Sequence, residues 1–344
     1  MPEKLEPNAF VTAAAHGPIL DVRSPGEFQQ AHIPGAISFP LFTDEERARV
    51  GTTYKQVNKD AAVELGLEFV GPKLAKWVKK AKKLAVDNTV YVHCWRGGMR
   101  SGSMAWLLET AGIQVKLLEG GYKAYRNFVL SKFEETIPLR VLGGKTGSGK
   151  TEILLEMQRR GVQVVDLEGI AHHRGSAFGH LGLEPQPSSE HFENILASQL
   201  MQMDYAKPIW VEDESRHIGK VFMGSSFYDQ LRDAPVLFLD IEAQYRLPHL
   251  VDVYAHYPKE DLAQAIDKIK KRLGGDHYKN AHEALEAGNF AEVAAITLHY
   301  YDKAYVHGLE NRATEKIQRL VVDTCEPIQQ TNAVMAHPLF INNR

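Results

Sequence analysis

The apolar positions in the first third of the chain come in short runs, several followed by a stretch of helical period. Residues 19–22, 36–40, 89–92 and 115–118 read as buried strands, and residues 74–84 and 103–111 as helices. Ser24-Pro25-Gly26-Glu27 has the spacing of a capping box with proline at the first helical position. A short helix is therefore expected from Pro25 to just before Ile33-Pro34-Gly35. Strands alternating with helices predict a parallel sheet covered on both faces. Around Pro138 the pattern breaks and restarts. Residues 139–142, 162–165, 209–211 and 236–239 read as strands, and Ile153, Leu154 and Met157 mark a helix that Gly161 closes. From 242 to 315 helical period with charged faces dominates. The expectation is two α/β domains, 1–135 and 136–344, the second with a helical C-terminal part.

Composition narrows the class without naming a chemistry. The 344 residues are 44% hydrophobic and 24% charged with a formal net charge of −3, as in an ordinary globular protein. Only a local patch, not the overall charge, can address a nucleic acid. Two cysteines, Cys94 and Cys325, exclude a disulfide framework and fit a reducing compartment. The first residues show no basic and apolar signal pattern, and no apolar run reaches the length of a membrane span. A cytoplasmic protein with no membrane partner is expected; oligomeric state is not legible.

Candidate chemistry begins at the end of the 89–92 strand. Cys94 is followed by Trp95, Arg96, Gly97, Gly98, Met99, Arg100 and Ser101, in a turn between a strand and a helix. Such a turn aims backbone N–H groups at one point, which the positive end of the helix dipole reinforces. Space-filling is the usual role of a free cysteine, but two glycines and two arginines directly after it point to a nucleophile facing an anion. Cys325 lacks such a context and reads as structural.

The second motif is Gly144-Lys145-Thr146-Gly147-Ser148-Gly149-Lys150-Thr151, a full G-x4-G-K-[ST] phosphate-binding loop with a strand before it and a helix after. It predicts a bound di- or triphosphate, with Lys150 neutralising the outer charge and Thr151 able to hold magnesium. Asp166, Glu212, Asp213 and Asp240 follow apolar strands, where such domains orient magnesium; Glu212 or Asp213 is the usual candidate, and plain solvation is equally open. Residues 166–179, with Asp166, Glu168, His173, Arg174 and Ser176, are too glycine-rich and charged for core and are expected to contact substrate. His172, His173 and His180 lack metal-ligand spacing, so no metal site is assigned. Lys73, Lys76, Lys79, Lys80, Lys82 and Lys83 lie on one helix, as a solvated face or a phosphate-backbone contact.

Three separated motifs resemble the rhodanese (sulfurtransferase) family: residues 21–28 with His32-Ile33-Pro34-Gly35-Ala36, the loop after His93-Cys94, and Leu118-Glu119-Gly120-Gly121-Tyr122. In the common sulfurtransferase loop the arginine stands five positions after the cysteine. Here Arg100 stands six after Cys94, the spacing of dual-specificity phosphatases of the cell-division type, which widens the anion cradle. A rhodanese-like parallel-sheet domain ahead of a P-loop NTPase-like α/β domain, together with residues 39–47 and 166–176, resembles the tRNA 2-selenouridine synthase family over essentially the whole chain. The resemblance implies a transferase acting on tRNA with a wobble 2-thiouridine. Its co-substrates would be selenophosphate, from a selenophosphate-producing enzyme, and geranyl diphosphate, with an S-geranylated intermediate and no tightly bound cofactor. It implies that Cys94 handles the chalcogen while the 144–151 loop holds the diphosphate. From the residues alone three readings stay open: an ATP-dependent sulfurtransferase or kinase, a cysteine-dependent phosphatase, and a non-catalytic binding module. Against the phosphatase, no acidic residue in or beside the loop stands out as a proton donor.

Overall fold

The computed structural model describes residues 2–310 and 312–341. The chain separates into two compact units, Met1–Lys132 with Glu193–Ala197, and Phe133–Phe192 with Ser198–Arg344. The first unit is built on five parallel strands, β1 (Glu3–Leu5), β2 (Ile19–Asp21), β3 (Ile37–Ser38), β4 (Thr89–His93) and β5 (Gln114–Leu118), in the order β1-β5-β4-β2-β3. Leu20, Val90, Val92, Val115 and Leu117 are buried on β2, β4 and β5, as near-continuous apolar strands of a sheet covered on both faces must be. Met104, Ala105 and Leu108 from the helix Met99–Thr110 and Trp77 and Ala81 from Leu74–Leu84 close one side of that core. A fully buried Met104 or Leu108 stabilises by about 1.5–3 kcal/mol.

β2 and β4 run side by side with Asp21 opposite His93, so the residues after both strands leave the sheet at one edge. Under this edge lies a buried charge pair. The guanidinium of Arg23 grips Asp21 at 2.6–3.0 Å, donates to the Ala31 carbonyl at 2.7 Å and lies 3.8 Å from the Tyr122 ring centroid. Burial acts to raise the Asp21 pKa, while His93 and Arg23 together bring it below the usual carboxylate value. Burial holds His93 neutral at pH 7, so Arg23 is the partner that acts there. Replacing Arg23 by alanine strands a buried carboxylate and is expected to destabilise this unit by about 3–5 kcal/mol. Thermal melts should show the deficit undiminished at pH 7. It should shrink only as pH falls below the ordinary aspartate pKa, through the lowered folded value, where wild type loses the same contribution. A melt unchanged at pH 7 would refute the assignment.

Several sequence expectations shift. The helix after Cys94 begins at Met99, not 103, because Gly98 serves as its N-cap and Gly102 is helical, donating to the Gly98 carbonyl at 3.0 Å. Two further helices, Asp44–Gln56 and Lys59–Val70, stand between β3 and β4. Their amphipathicity is weak, but their caps are clear. The Thr43 hydroxyl and Glu46 carboxylate satisfy each other's backbone N–H, and the Asn58 side chain accepts from Ala61 at 2.8 Å. Of the lysine run, Lys73 pairs with Glu46 at 2.6 Å and Lys80 lies 4.9 Å from the Phe39 ring centroid, while Lys76, Lys79, Lys82 and Lys83 are exposed.

The second unit carries another parallel sheet, β6 (Leu139–Gly144), β7 (Val164–Val165), β8 (Ile209–Glu212), β11 (Val236–Asp240) and β12 (Ile317–Val321), ordered β12-β11-β6-β8-β7; β9 (His217–Ile218) and β10 (Val221–Phe222) form a separate hairpin. The 242–315 stretch folds as helices, as its period requires. Lys259–Leu273 buries Leu262, Ala265, Ile266, Ile269 and Leu273 at helical spacing against Ala281, Leu285 and Val293. Residues 166–179 depart from expectation: Leu167, Ile170, Ala171 and Phe178 are buried, so part of that segment is core. Among the described residues no helix is long and apolar enough to cross a membrane.

Candidate active sites

In the first unit Cys94 directly follows β4 and is buried. Its Sγ lies 3.1 Å from the Ser101 hydroxyl, which also reaches the Gly98 carbonyl at 3.2 Å. The loop is pinned from the other side: Tyr122 N donates to the Cys94 carbonyl at 2.8 Å and Lys123 N to the Trp95 carbonyl at 2.9 Å. Close approach demands glycine here. A Cβ on Gly121, at φ 64°, would stand 2.5 Å from the Cys94 oxygen and 2.8 Å from the Arg96 nitrogen. Trp95, Arg96 and Met99 are exposed around the buried sulfur.

Arg100 has a partner that the sequence reading missed. It donates to Glu27 at 2.7 Å, and the same carboxylate accepts from Ser24 N at 3.1 Å and lies 3.4 Å from Arg47. An acid therefore stands beside the loop, as the partner of Arg100. Burial acts to raise the Glu27 pKa, but the Arg100 bond and charge overcome it and bring it below the usual value, so Glu27 is an ion-pair partner and not a proton donor. Arg100 and Met99 also line an apolar groove of about 580 Å³ with Leu67, Trp77 and Trp106.

In the second unit the 144–151 loop borders a cavity of about 280 Å³ lined by Thr146 through Glu152, Glu168, Arg174, Gly175, Ser176, Asp213 and Glu214. Gly144 and Lys145 lie outside this lining, and the Lys145 carbonyl accepts from Ser148 N at 3.2 Å. Lys150 Nζ donates to the Gly144 carbonyl at 3.0 Å, and Gly144 N donates to the Tyr305 hydroxyl at 2.9 Å. Tyr305 in turn donates to Asp213 at 2.8 Å, and Arg312 holds the other Asp213 oxygen at 2.5 Å. Burial, then the Asp213 charge, keeps the Tyr305 phenol protonated. The buried Ser148 hydroxyl has no hydrogen-bond partner.

The carboxylates sort into two roles. Asp166 caps the helix Leu167–Ala171 through Gly169 N, and buried Glu212 accepts from Leu167 N at 2.9 Å; neither lines the cavity. Glu168 and Glu214 do line it, and Glu168 accepts from the Thr151 hydroxyl at 2.9 Å. Burial raises both carboxyls: Glu214 goes far above the ordinary value with the Glu168 charge adding to it, while Lys150 and the bond to Glu214 draw Glu168 partly back, so the two share a proton. Glu214 was missed because β8 ends at Glu212, and only the turn after it swings residue 214 into the cavity. An apolar pocket of Phe178, Leu250, Leu262, Phe290, Val293 and Leu298 adjoins this cavity through Thr146, Ser176, Tyr254 and Tyr301.

Comparison with known proteins places these features. The family model described as the tRNA 2-selenouridine synthase AAA domain matches residues 137–334, and the rhodanese-like domain model matches residues 6–128. The tRNA 2-selenouridine synthase of Nitrosomonas europaea is 34% identical, covering 87% of this chain and 90% of its own. That of Shewanella pealeana is 35% identical, covering 86% and 90%. Among solved structures, a rhodanese-related protein from Thermoplasma volcanium aligns with 37% of this chain and 92% of its own at 18% identity and a TM-score of 0.23.

Proposed function

The chain belongs to the tRNA 2-selenouridine synthase family, and from that premise we propose that it replaces sulfur by selenium in wobble 2-thiouridine of tRNA in two steps. In the first, the thiouridine sulfur attacks the first carbon of geranyl diphosphate. A carbon–sulfur bond forms, the bond to diphosphate breaks, and the base loses its N3 proton. The observation that carries this reading is the apolar pocket joined to the phosphate-loop cavity. It suits a hydrocarbon tail behind a diphosphate better than the polar edge of a purine. The glycine-rich loop and the N-terminus of the helix Lys150–Arg159 suit the diphosphate. The Thr151 hydroxyl offers an oxygen donor suited to magnesium, which would supply further positive charge to the leaving diphosphate. The Glu168–Glu214 pair shares a proton and has capacity for the one lost from N3.

In the second step selenium from selenophosphate bonds to C2 of the base, the C2–S bond breaks, and geranyl thiol leaves. Selenium enters and ends at the same oxidation level, so no electron acceptor is needed. Loading it onto a cysteine sulfur as a selenenyl sulfide would require an oxidant. Cys94 is therefore assigned attack on phosphorus: an S–P bond forms, the P–Se bond breaks, and water later releases phosphate from the cysteine. The six-residue spacing to Arg100 fits an anion of that size, and the apolar groove beside Met99 and Arg100 offers the geranyl chain a place.

The test is an assay of the purified chain with thiolated tRNA, nucleosides being read by mass spectrometry. S-geranyl-thiouridine should form with geranyl diphosphate, and 2-selenouridine should follow when selenophosphate is added. Rapid phosphate release from ATP without tRNA, and no alkylation, would replace this reading with the ATP-dependent one.

A further inference from the structure

The phosphate-loop cavity does not end at Ser176. Gly175, Ser176, Ser215 and Tyr301 also line a larger cleft of about 960 Å³. Its walls are of two kinds. His173, His180, Tyr300 and Tyr301 supply rings, while Lys220, Lys268 and Arg272 supply charge, against Glu184 as the one lining carboxylate among the described residues. The three cations are exposed; Lys268 Nζ lies 3.1 Å from His180 Nε2, and Arg272 donates to the Tyr300 hydroxyl at 3.1 Å.

The frame of the cleft is preformed. Gln186 Nε2 donates to the Ala171 and Ile218 carbonyls at 3.0 and 2.9 Å, and its Oε1 accepts from Lys220 N at 2.8 Å. Gly219, at φ 59°, lets the hairpin approach so closely that a Cβ would stand 2.6 Å from the His173 ring. His173 is 7% exposed and its Nδ1 has no hydrogen-bond partner. Burial, helped by His180 and Lys268, depresses its pKa to about 4, so the ring is neutral at pH 7 and keeps both a donor and an acceptor. Rings for stacking, cations for phosphates and a neutral imidazole are the equipment that single-stranded RNA requires.

We propose that this cleft binds the unpaired anticodon loop of the tRNA, with phosphates on Lys220, Lys268 and Arg272 and bases against the histidine and tyrosine rings. The wobble base then reaches the diphosphate past Gly175 and Ser176, where the two cavities join. The assignment rests on the substrate proposed above.

The test measures binding of a fluorescent anticodon stem-loop RNA to the full chain over a salt series, without geranyl diphosphate. The triple variant K220E/K268E/R272E should lose at least tenfold in affinity. Its log–log salt slope should flatten by about 2, from three contacts at about 0.7 each. The charge-matched control K79E/K82E/K83E, on the helix Leu74–Leu84, should stay within about twofold. Melts of both variants would confirm that exposed positions were changed without unfolding. Wild-type affinity and slope in the cleft variant, or an equal loss in the control, would overturn the proposal. The transfer assay separates the two claims. RNA held through the cleft by a chain that cannot alkylate would sink the reaction and leave the cleft. Full transfer with cleft-independent RNA binding would do the reverse.

Discussion

Replacing Cys94 by alanine is expected to lower 2-selenouridine formation by about a thousandfold or more, the scale of losing a covalent nucleophile. S-geranylation of thiolated tRNA should stay within about twofold of wild type. The split follows from the proposed division of labour: Cys94 stands in the rhodanese-like unit, and the Gly144–Thr151 loop belongs to the other. The substitution removes only a sulfur whose hydrogen-bonding neighbour, Ser101, keeps the Gly98 carbonyl, so folding should be little affected. Quenched reactions of the wild-type chain with selenophosphate should also show a phosphorylated Cys94 peptide. Full selenation by C94A would remove the cysteine from the mechanism. A Cys94 peptide carrying selenium and no phosphate would reject the phosphorus attack.

The second large effect is expected at Lys150. Diphosphate leaves with growing negative charge, and a lysine in a closed site offsets that charge where water is scarce. Removing one such contact costs roughly 10²–10³-fold in rate. K150A should therefore lose S-geranylation by that factor while still converting tRNA that has already been geranylated. Lys150 Nζ now touches the Gly144 carbonyl, a contact it can exchange for a ligand oxygen without rebuilding the loop. Normal geranyl transfer by K150A, measured with limiting geranyl diphosphate, would reject the diphosphate assignment. Loss of both steps at unchanged melting temperature would reject their independence.

Both candidate sites were visible in the sequence because each is written locally. The Gly144–Thr151 loop and the turn from Cys94 to Ser101 are single stretches whose strand and helix flanks can be read from period alone. What escaped was written across distance. Glu27 meets Arg100 from 73 positions away, and nothing near either residue announces the other. Glu214 reaches the cavity only because β8 stops two residues before it, whereas Glu212, the stronger candidate by position, is consumed by Leu167 N. The helices Asp44–Gln56 and Lys59–Val70 escaped because their apolar period is weak and only their caps mark them. Residues 166–179 misled for the opposite reason. Glycine and charge dominate their composition, yet Leu167, Ile170, Ala171 and Phe178 are buried.

The supports of the phosphate loop come from the far end of the chain. Tyr305 receives Gly144 N, Arg312 fixes Asp213, and Gln330 donates to the Ser148 carbonyl at 3.1 Å. Beside it, β12 pairs with β11 as the last strand to join the sheet. During synthesis the rhodanese-like unit has almost all of its residues by Lys132, whereas the phosphate loop emerges about 180 residues before its last brace. A nascent or truncated chain ending before Tyr305 would carry the complete G-x4-G-K-T signature and lack the parts that shape it. Possession of the motif and possession of the site are separated in this protein by about half of the time it takes to make it.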